Sequence, residues 1–439
     1  MIYPALTLCL AALSLTPARA QTVTELDPGS LAGAFHIFDP ARADLEIELM
    51  IQAGEGDHDG IEGLPHFLEH LVWLSVATDY PLAKSSGSNA YTSQWATGYS
   101  LTVPVDRFDT ALTTLLAIFD TPSLDPTFMD EEIGIILQEY EARLDGSDVE
   151  QIYEQSRRWL YTLGESDLPQ SLARNIIGEP EDIARFTVEQ ALALHAQTHV
   201  HNRAVLVIRG PADLATLSEA LATRVGTGGS FKQVPRPEFI TPAPIAERFV
   251  IEDDRGDGAR FAYRKLVDVE TDLSPLEIEE AANLLRLILG GTRDESLQVP
   301  LYYDEFWVAG LSLNLSSVDG DTLALLISAE PEPGVTLDEL KPRILAALSA
   351  AADQGISQDT LDRTRDLFLR ERAAQTPVEA AFRYVNSGLF RRMPLVDWET
   401  RNAALAGVTP EDLESLLSAL AGPGREAFVE IHAAEEVTQ

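Results

Sequence analysis

The chain has 439 residues, of which 45% are hydrophobic and 23% are charged, and this size and balance predict two or three globular domains. Seventy acidic residues against 32 basic residues give a formal net charge of −38, which disfavours binding to nucleic acid or to anionic membrane surfaces. A solvated acidic surface is the simplest interpretation of this charge, and attraction of basic peptides is the alternative.

The N-terminus carries the pattern of a secretory signal peptide. Residues 5–15 form an apolar run too short to span a membrane, and an A-R-A sequence ending at Ala20 is typical of a cleavage site. We therefore expect residues 1–20 to be removed and the mature protein to be periplasmic or secreted. The only cysteine, Cys9, lies in this run, so no disulfide is expected. No later segment reaches about eighteen apolar residues, so no membrane span is predicted.

The first half of the chain predicts alternating strands and helices. Residues 45–51 alternate apolar and polar side chains, which indicates a half-buried strand. Pro65 marks the first turn of a helix that continues to Ser75. Residues 89–105 predict a pair of strands. Further helices are predicted at residues 107–120, 128–144, 151–163 and 187–199, and a strand at residues 203–210.

A linker separates the two halves. Residues 225–247 concentrate glycine and proline without apolar periodicity, and we place the linker at residues 229–247. Ser274 with Pro275 and Glu277 then marks the start of a helix. Strands are predicted at residues 249–251, 261–263, 308–316, 322–330 and 424–433, and helices at residues 337–354, 358–374 and 378–390. Both halves thus show an α+β alternation, which predicts an internal repeat of architecture.

The segment G-L-P-H-F-L-E-H-L-V-W-L-S, from Gly63 to Ser75, contains two of the eight histidines four residues apart. On a helix His66 and His70 face the same way, so both imidazoles can ligate one metal ion. Zn²⁺ suits two nitrogens and one carboxylate, and it lowers the pKa of a bound water to about 7. Glu69 adjoins this face and could accept that proton as a general base. The alternative is an ordinary pair of core or surface histidines, which the neighbouring glutamate disfavours.

The third metal ligand is expected on the helix predicted at residues 128–144. Glu132 and Glu139 are seven residues apart and share one face of it, among apolar residues that predict a buried side. We predict Glu139 as the ligand and Glu132 as a residue that orients a metal-bound histidine. A solvated helix edge is the alternative. Manganese and cobalt accept similar ligands. Three other histidines fall in predicted loops and are interpreted as surface residues: His58, His199 and His201.

Three segments together resemble one known family. G-L-P-H-F-L-E-H-L-V-W, G-S-N-A-Y-T-S and E-E-I-G-I-I-L-Q-E-Y-E-A-R-L are similar to the M16, or pitrilysin, family of zinc peptidases, which includes insulin-degrading enzyme and the mitochondrial processing peptidases. The resemblance covers most of the chain and is looser in the second half. It implies two homologous α/β-sandwich domains, each an antiparallel-rich sheet covered by helices. Residues 21–228 would form the catalytic domain and residues 248–439 the C-terminal domain.

The resemblance also implies roles for individual residues. The implied site residues are the zinc ligands His66, His70 and Glu139, the catalytic base Glu69 and the supporting acid Glu132. Asn89 and Ala90 match a segment of an edge strand that pairs with the backbone of the substrate. Taken without the resemblance, the segment around Asn89 could be an ordinary loop that leads into a strand.

Two positions depart from the family pattern. Where family members often carry an acid and a histidine after N-A-Y-T-S, this chain has Q-W-A-T at residues 94–97. In the second half Tyr302 stands where an arginine is expected and Ala309 where a tyrosine is expected. Neither residue can stabilise the substrate and the oxyanion as the family pair does. We therefore expect a second M16-like chain that supplies these groups in a heterodimer, with a homodimer as the alternative.

The sequence predicts a zinc endopeptidase that acts on oligopeptides or unfolded segments. The alternative is a catalytically weak or inactive scaffold or assembly subunit. The presence of Glu69 favours the peptidase, and the missing arginine and tyrosine favour the scaffold. A metal-dependent hydrolase of another bond is a third option, against which the peptide-pairing segment argues.

Overall fold

The computed structural model describes residues 23–123, 126–145, 147–163, 170–253 and 258–433. The predicted signal peptide at residues 1–20 lies outside the described residues. The described residues form a six-stranded sheet and a five-stranded sheet, both covered by helices. The predicted α+β fold with antiparallel-rich sheets is therefore confirmed.

The first sheet has the strand order β1-β2-β6-β3-β5-β4. Its strands are β1 (Val23–Glu25), β2 (Gly33–Phe38), β3 (Asp44–Ile51), β4 (Ser88–Thr92), β5 (Thr97–Pro104) and β6 (Ala204–Gly210). Only β2 and β6 pair in parallel, and the other neighbours are antiparallel. The predicted alternation in β3 is confirmed, because Leu45, Ile47 and Leu49 are fully buried against the helices.

The described part of the first half contains seven α-helices: α1 (Leu64–Asp79), α2 (Phe108–Leu116), α3 (Pro126–Tyr140), α4 (Asp148–Tyr161), α5 (Pro180–Ile183), α6 (Val188–Thr198) and α7 (Leu214–Val225). The start of α1 is fixed by Gly63, whose φ of 82° lies in the left-handed region. A Cβ atom at this position would collide with the backbone of Ile177, so only glycine fits.

The second sheet has the order β7-β11-β8-β10-β9, which repeats the order of the first sheet without a counterpart of β1. Its strands are β7 (Ala246–Asp253), β8 (Arg260–Asp268), β9 (Val308–Asp319), β10 (Thr322–Pro331) and β11 (Arg425–Ala433). As β6 pairs in parallel with β2 in the first sheet, β11 pairs in parallel with β7 in the second. The helices are α8 (Pro275–Leu289), α9 (Leu337–Gln354), α10 (Gln358–Ala374), α11 (Pro377–Arg391), α12 (Trp398–Gly407) and α13 (Pro410–Ala421). This shared order confirms the predicted repeat of architecture.

The two halves exchange helices. Val149 and Ile152 of α4, from the first half, pack against Val429 of the second sheet. In return, Val385 and Leu389 of α11, from the second half, belong to a cluster on the first sheet. Each sheet therefore has one face covered by helices of its own half and the other face contacted by a helix of the opposite half.

The segment between the halves makes specific contacts. The side chain of Gln52 donates to the carbonyl of Lys232 at 3.0 Å and accepts from the amide of Val234 at 2.9 Å. The ring of Phe231 packs edge to face on Phe35, with ring centroids 5.2 Å apart. The residues predicted as a linker at 229–247 are thus held against the first sheet over part of their length.

Trp95 contacts an arginine of the segment between the halves and an arginine of the second half. The guanidinium groups of Arg236 and Arg392 lie 5.3 and 5.4 Å from the centre of its ring. Arg392 is buried, has a left-handed φ of 48° and donates to Asp57 at 2.7 Å and to the carbonyl of Gln52 at 3.0 Å. Because such a backbone conformation is unfavourable for arginine, these contacts hold the residue in place. Trp95 belongs to the Q-W-A-T segment that departs from the family pattern, and it serves here as a contact between the halves.

Candidate metal centre

Helix α1 carries three residues of the predicted site towards helix α3. His66 and Glu69 are 7% and 6% exposed, because Phe67, Leu68 and Leu71 pack the helix into the core of the first half. The rings of His66 and His70 lie edge to face, with centroids 4.7 Å apart. Donor atoms of His66, Glu69 and His70 all lie within 4.8 Å of one another. The structure thus brings together the whole H-x-x-E-H motif.

Glu139 on α3 faces both imidazoles. Its Oε2 atom is 3.6 Å from Nε2 of His66, and its Oε1 atom is 3.9 Å from Nε2 of His70. Ligand atoms of a tetrahedral zinc ion are separated by roughly 3.3 Å, given Zn–N and Zn–O bonds of about 2.0 to 2.1 Å. The two separations exceed this value by about 0.3 and 0.6 Å and start from different oxygens of Glu139, so binding of such an ion would draw the Glu139 carboxylate closer to the imidazoles.

Glu132 fixes the orientation of His70. The Nδ1–H group of His70 donates to Oε2 of Glu132 at 2.9 Å, which leaves Nε2 free to face Glu139. Burial lowers the pKa of His70, but the hydrogen bond to Glu132 and the charges of Glu69, Glu132 and Glu139 outweigh burial, so the pKa is raised overall. The ring is thus oriented by a carboxylate in the way that metal-bound histidines usually are.

His66 is held in its neutral form. Burial is the main reason that its pKa falls to about 3, and the nearby charges of His70 and Arg143 lower it further. Its Nδ1 atom is buried and has no hydrogen-bond partner among the described residues. A neutral imidazole with Nε2 directed at Glu139 is the form that binds a metal ion.

Two carboxylates approach the histidine pair, and they differ in their surroundings. Glu69 accepts a hydrogen bond from the hydroxyl of Thr92 at 3.3 Å. Burial raises the pKa of Glu69 to about 7, against the opposing effects of His70 and Thr92. Glu139 instead directs one oxygen at each imidazole. This geometry favours Glu139 as the ligand and Glu69 as the proton acceptor, because a general base works best with a pKa near neutrality.

The predicted peptide-pairing segment forms strand β4, the outermost strand of the described first sheet. Asn89 pairs with Ser100 and Ala90 with Tyr99 on one side of β4. Its other side is the edge of the sheet. Thr92, two residues after Ala90, is the residue that contacts Glu69. The edge strand and the candidate base are therefore adjacent. The sequence prediction did not include Thr92, although its period-two relation to Ala90 could have indicated it.

The interpretation of His199 as a surface residue is wrong. His199 is only 4% exposed, and its Nε2 atom lies 2.9 Å from the hydroxyl of Tyr99. Its ring stacks on His195, with centroids 4.9 Å apart. His58 and His201 are half-buried. The error has a physical reason: His199 follows α6, which packs against α1, so the end of the helix lies inside the core.

A buried ionic network holds the loop that precedes α1. Glu55, which is 0% exposed, accepts from Arg174 at 2.8 Å and from the amide of Gly63 at 3.2 Å. Glu62 forms two hydrogen bonds of 2.8 Å with Arg158 of α4. Because Gly63 is the residue before α1, this network fixes the position from which the helix with the H-x-x-E-H motif starts. The sequence prediction missed it.

The two second-half positions that depart from the family pattern lie on the surface. Tyr302 is 38% exposed in a π-helical segment, Val299–Asp304. Ala309 is exposed near the start of β9, the outermost strand of the second sheet.

Replacing Glu132 by glutamine should weaken zinc binding by about 10- to 100-fold, because His70 would lose the charged acceptor that orients it. The measurement is competition for zinc against a fluorescent chelator. Glu131→Gln is the matched control, since Glu131 precedes it on the same helix and is exposed. Equal affinities of the two variants would show that the Glu132 carboxylate does not support the site.

Comparison with known proteins gives the family of the chain. The model of insulinase, peptidase family M16, matches residues 38–157, and the model of the peptidase M16 inactive domain matches residues 185–368. Insulin-degrading enzyme of Drosophila melanogaster is 32% identical over 131 residues, which are 28% of this chain and 13% of that enzyme. The matched stretch is thus a small part of that longer relative.

Solved structures show the same fold. A protease from Helicobacter pylori superimposes with a TM-score of 0.73 and 16% identity, over 93% of this chain and 99% of that one. The periplasmic protease PqqL from Escherichia coli gives a TM-score of 0.75 and 14% identity, over 94% of this chain and 47% of that one. None of the helices in the described part of the chain has the length and apolarity that crossing a bilayer requires. The two family models and the shared fold together establish that this chain belongs to peptidase family M16.

Proposed function

We propose that the chain is a zinc-dependent endopeptidase that cleaves oligopeptides or unfolded segments with the help of a second M16-like chain. The observation that carries this proposal is the arrangement around Glu139, whose two oxygens face Nε2 of His66 and Nε2 of His70. Family membership supports a protease or an inactive relative, and the intact set of donor atoms favours the protease.

His66, His70 and Glu139 would hold the zinc ion, with Glu132 orienting His70. Zinc bound there would supply Lewis acidity for the hydrolysis. Glu69 would accept a proton from the attacking water and deliver it to the leaving amine. Its buried position beside the histidine pair suits both transfers.

Strand β4 would bind the substrate by strand addition. Asn89 and Ala90 would present backbone groups at the sheet edge to an extended peptide. Thr92 lies on the same strand and contacts Glu69, so a peptide paired with β4 passes the candidate base. Main-chain pairing of this kind selects extended segments more than particular side chains.

The partner is inferred from what the second half lacks. Tyr302 and Ala309 replace the arginine and tyrosine that the family resemblance implies, and the loss of one oxyanion donor costs about 100-fold or more in rate. The similarity to PqqL supports a two-part assembly, since this chain covers 47% of that one. We place the mature protein in the periplasm or outside the cell, in agreement with the predicted signal peptide.

The proposal is tested by assaying zinc-loaded chain against a quenched-fluorescent peptide library, alone and mixed with a similar-length M16-like chain encoded beside it. We expect cleavage by the mixture to be about 100-fold faster than by the isolated chain, because the partner supplies the missing oxyanion donors. Removal of zinc by a chelator should abolish the activity.

Two results would change the proposal. Full activity of the isolated chain would show that no partner is needed. If neither sample cleaves any peptide although zinc is bound, the scaffold or assembly subunit becomes the better assignment.

A further inference from the structure

The second half contains a cavity at the place that corresponds to the metal centre of the first half. Helix α8 connects β8 to β9, as α1 connects β3 to β4 in the first half. Helix α10 is the second α-helix after strands β9 and β10, as α3 is the second α-helix after strands β4 and β5. The cavity has a volume of about 560 Å³ and is lined by residues of α8, α10, α11 and α12. Its lining residues all belong to the second half, and one of them, Phe390, lies beside Tyr91 of β4, with ring centroids 5.8 Å apart.

Arginine–glutamate pairs occupy this cavity where the first half has metal-binding residues. Arg372 of α10 donates to Glu280 of α8 at 2.6 Å, and Arg401 donates to the same carboxylate at 3.0 Å. Arg391 and Arg401 both reach Glu279, each at 3.3 Å. These hydrogen bonds connect α8, α10, α11 and α12, so the residues on this side of the cavity are held in position.

The cavity has a surplus of positive charge. Its lining includes four arginines, namely Arg372, Arg383, Arg391 and Arg401, and one glutamate, Glu279. Glu280 is buried behind them, and Glu379 and Asp397 lie close to the lining residues Arg383 and Tyr384, so the positive surplus is confined to the lining itself. The whole chain has a formal net charge of −38, so a positive cavity is the opposite of its average surface. Such a site favours an anionic group.

Several buried polar atoms of the lining have no hydrogen-bond partner among the described residues. Two are donors, Nε of Arg372 and Nε1 of Trp398, and two are acceptors, the amide oxygens of Gln375 and Asn386. Buried polar groups are nearly always paired in proteins. A ligand that supplies both acceptors and an N–H donor would therefore complement this wall.

Aromatic rings provide the remaining surface. The guanidinium of Arg372 lies 4.4 Å from the ring centre of Phe368 and 4.7 Å from that of Trp398. Phe382 also lines the cavity, and Phe390 is 40% exposed at it. An apolar or aromatic side chain would pack against these rings. Inorganic phosphate has no apolar body, and a fatty acid anion has no N–H donor.

We propose that this cavity binds the C-terminal end of a peptide, with the free carboxylate at the arginines and an apolar last side chain against the aromatic rings. The peptide N–H groups then meet the amide oxygens of Gln375 and Asn386. This binding depends neither on a metal ion nor on the proposed peptidase activity.

The test measures binding of N-acetyl-Ala-Ala-Phe by calorimetry, with the full-length mature chain carrying Glu69→Gln so that no peptide is cleaved. The same tripeptide with a C-terminal amide should bind about tenfold more weakly, because the ion pair with the arginines is lost. Octanoate should also bind more weakly than the peptide acid. Chelation of metal should leave the affinity of the peptide acid unchanged.

Two conservative variants locate the site. Trp398→Phe keeps an aromatic ring, although a smaller one, and removes the N–H donor. Arg383→Gln removes an exposed charge of the lining. Each should weaken binding of the peptide acid by about five- to tenfold. Arg363→Gln is the control, because Arg363 lies on the same helix as Arg372, is 57% exposed and does not line the cavity. Equal binding of the acid and the amide, loss of binding on chelation, or unchanged affinity in both cavity variants would each overturn the proposal.

Discussion

Replacing Glu69 by glutamine should lower kcat/KM for peptide cleavage by about 1,000-fold while the chain keeps its zinc, because a general base contributes about 10²- to 10⁴-fold to such reactions. Glutamine preserves the size of the side chain and can still accept the hydrogen bond from Thr92. It cannot accept a proton. The measurement combines steady-state kinetics, in the presence of the partner chain, with the zinc content of the same preparation.

The Glu69→Gln result separates two roles of that carboxylate. Glu69 lies within 4.8 Å of the donor atoms of both histidines, so it could be a ligand as well as a base. A variant that loses zinc together with activity would identify Glu69 as a ligand. A variant that retains activity would remove it from the reaction. Glu131→Gln, an exposed acid on α3, should match the wild type in both measurements.

Replacing Arg174 by methionine should reduce the free energy of unfolding by about 3–5 kcal/mol, because the change leaves Glu55 buried without its charged partner. Methionine fills most of the volume of the arginine stem, so the lost ion pair dominates the effect. The measurement is urea unfolding of the metal-free chain. Arg185→Met is the control, since Arg185 is 65% exposed in its pair with Asp182 and should contribute little.

The loss of stability in Arg174→Met should depend on pH. Burial already raises the pKa of Glu55 well above its ordinary value, and Arg174 opposes this rise. Without Arg174 the pKa of the folded state rises further, so the folded variant retains its proton to a higher pH. The free energy of unfolding then falls as pH rises through that pKa. The deficit relative to wild type should therefore be larger at pH 8 than at pH 5. A deficit that is the same at both pH values would show that the charge of Glu55 is not its cause.

The sequence predicted those strands and helices that bury one face and expose the other. Residues 45–51 show a clear period of two because β3 has Glu46 and Glu48 on its second face. Helices α9 and α10 were predicted with their observed ends because Thr336 and Ser357 cap them and because Gly355 follows α9. Local signals of this kind need no knowledge of tertiary contacts.

Strand β2 was not predicted because its sequence carries no alternation. Its residues Gly33 to Ile37 are all buried, since helices of the first half cover one face of the sheet and α11 contacts the other. A strand covered on both faces has no polar side to mark it. The helices α7, α12 and α13 also received no prediction, although Asp213, Asp397 and Thr409 cap them.

The grouping of the site residues could be predicted only where helical spacing links them. His66 and His70 are one turn apart, and Glu132 and Glu139 are two turns apart, so each pair was placed on one face. The structure adds the contact between α1 and α3, with His70 bonded to Glu132 across 62 positions of sequence. Glu55 and Arg174 are 119 positions apart, and each resembles an ordinary surface charge until the fold brings the two together.

The exchange of α4 and α11 between the halves has a consequence for how the chain can be divided. A protease cut within residues 229–245, or separate expression of the two halves, would give two fragments. Each fragment would lack the helix of the opposite half that contacts one face of its sheet. Val429 and Ile431 would be exposed in one fragment, and Phe35 and Val207 in the other. Uncovered apolar sheet faces of this kind associate with one another. The halves should therefore recombine into a nicked but intact particle more readily than they persist as independent folding units.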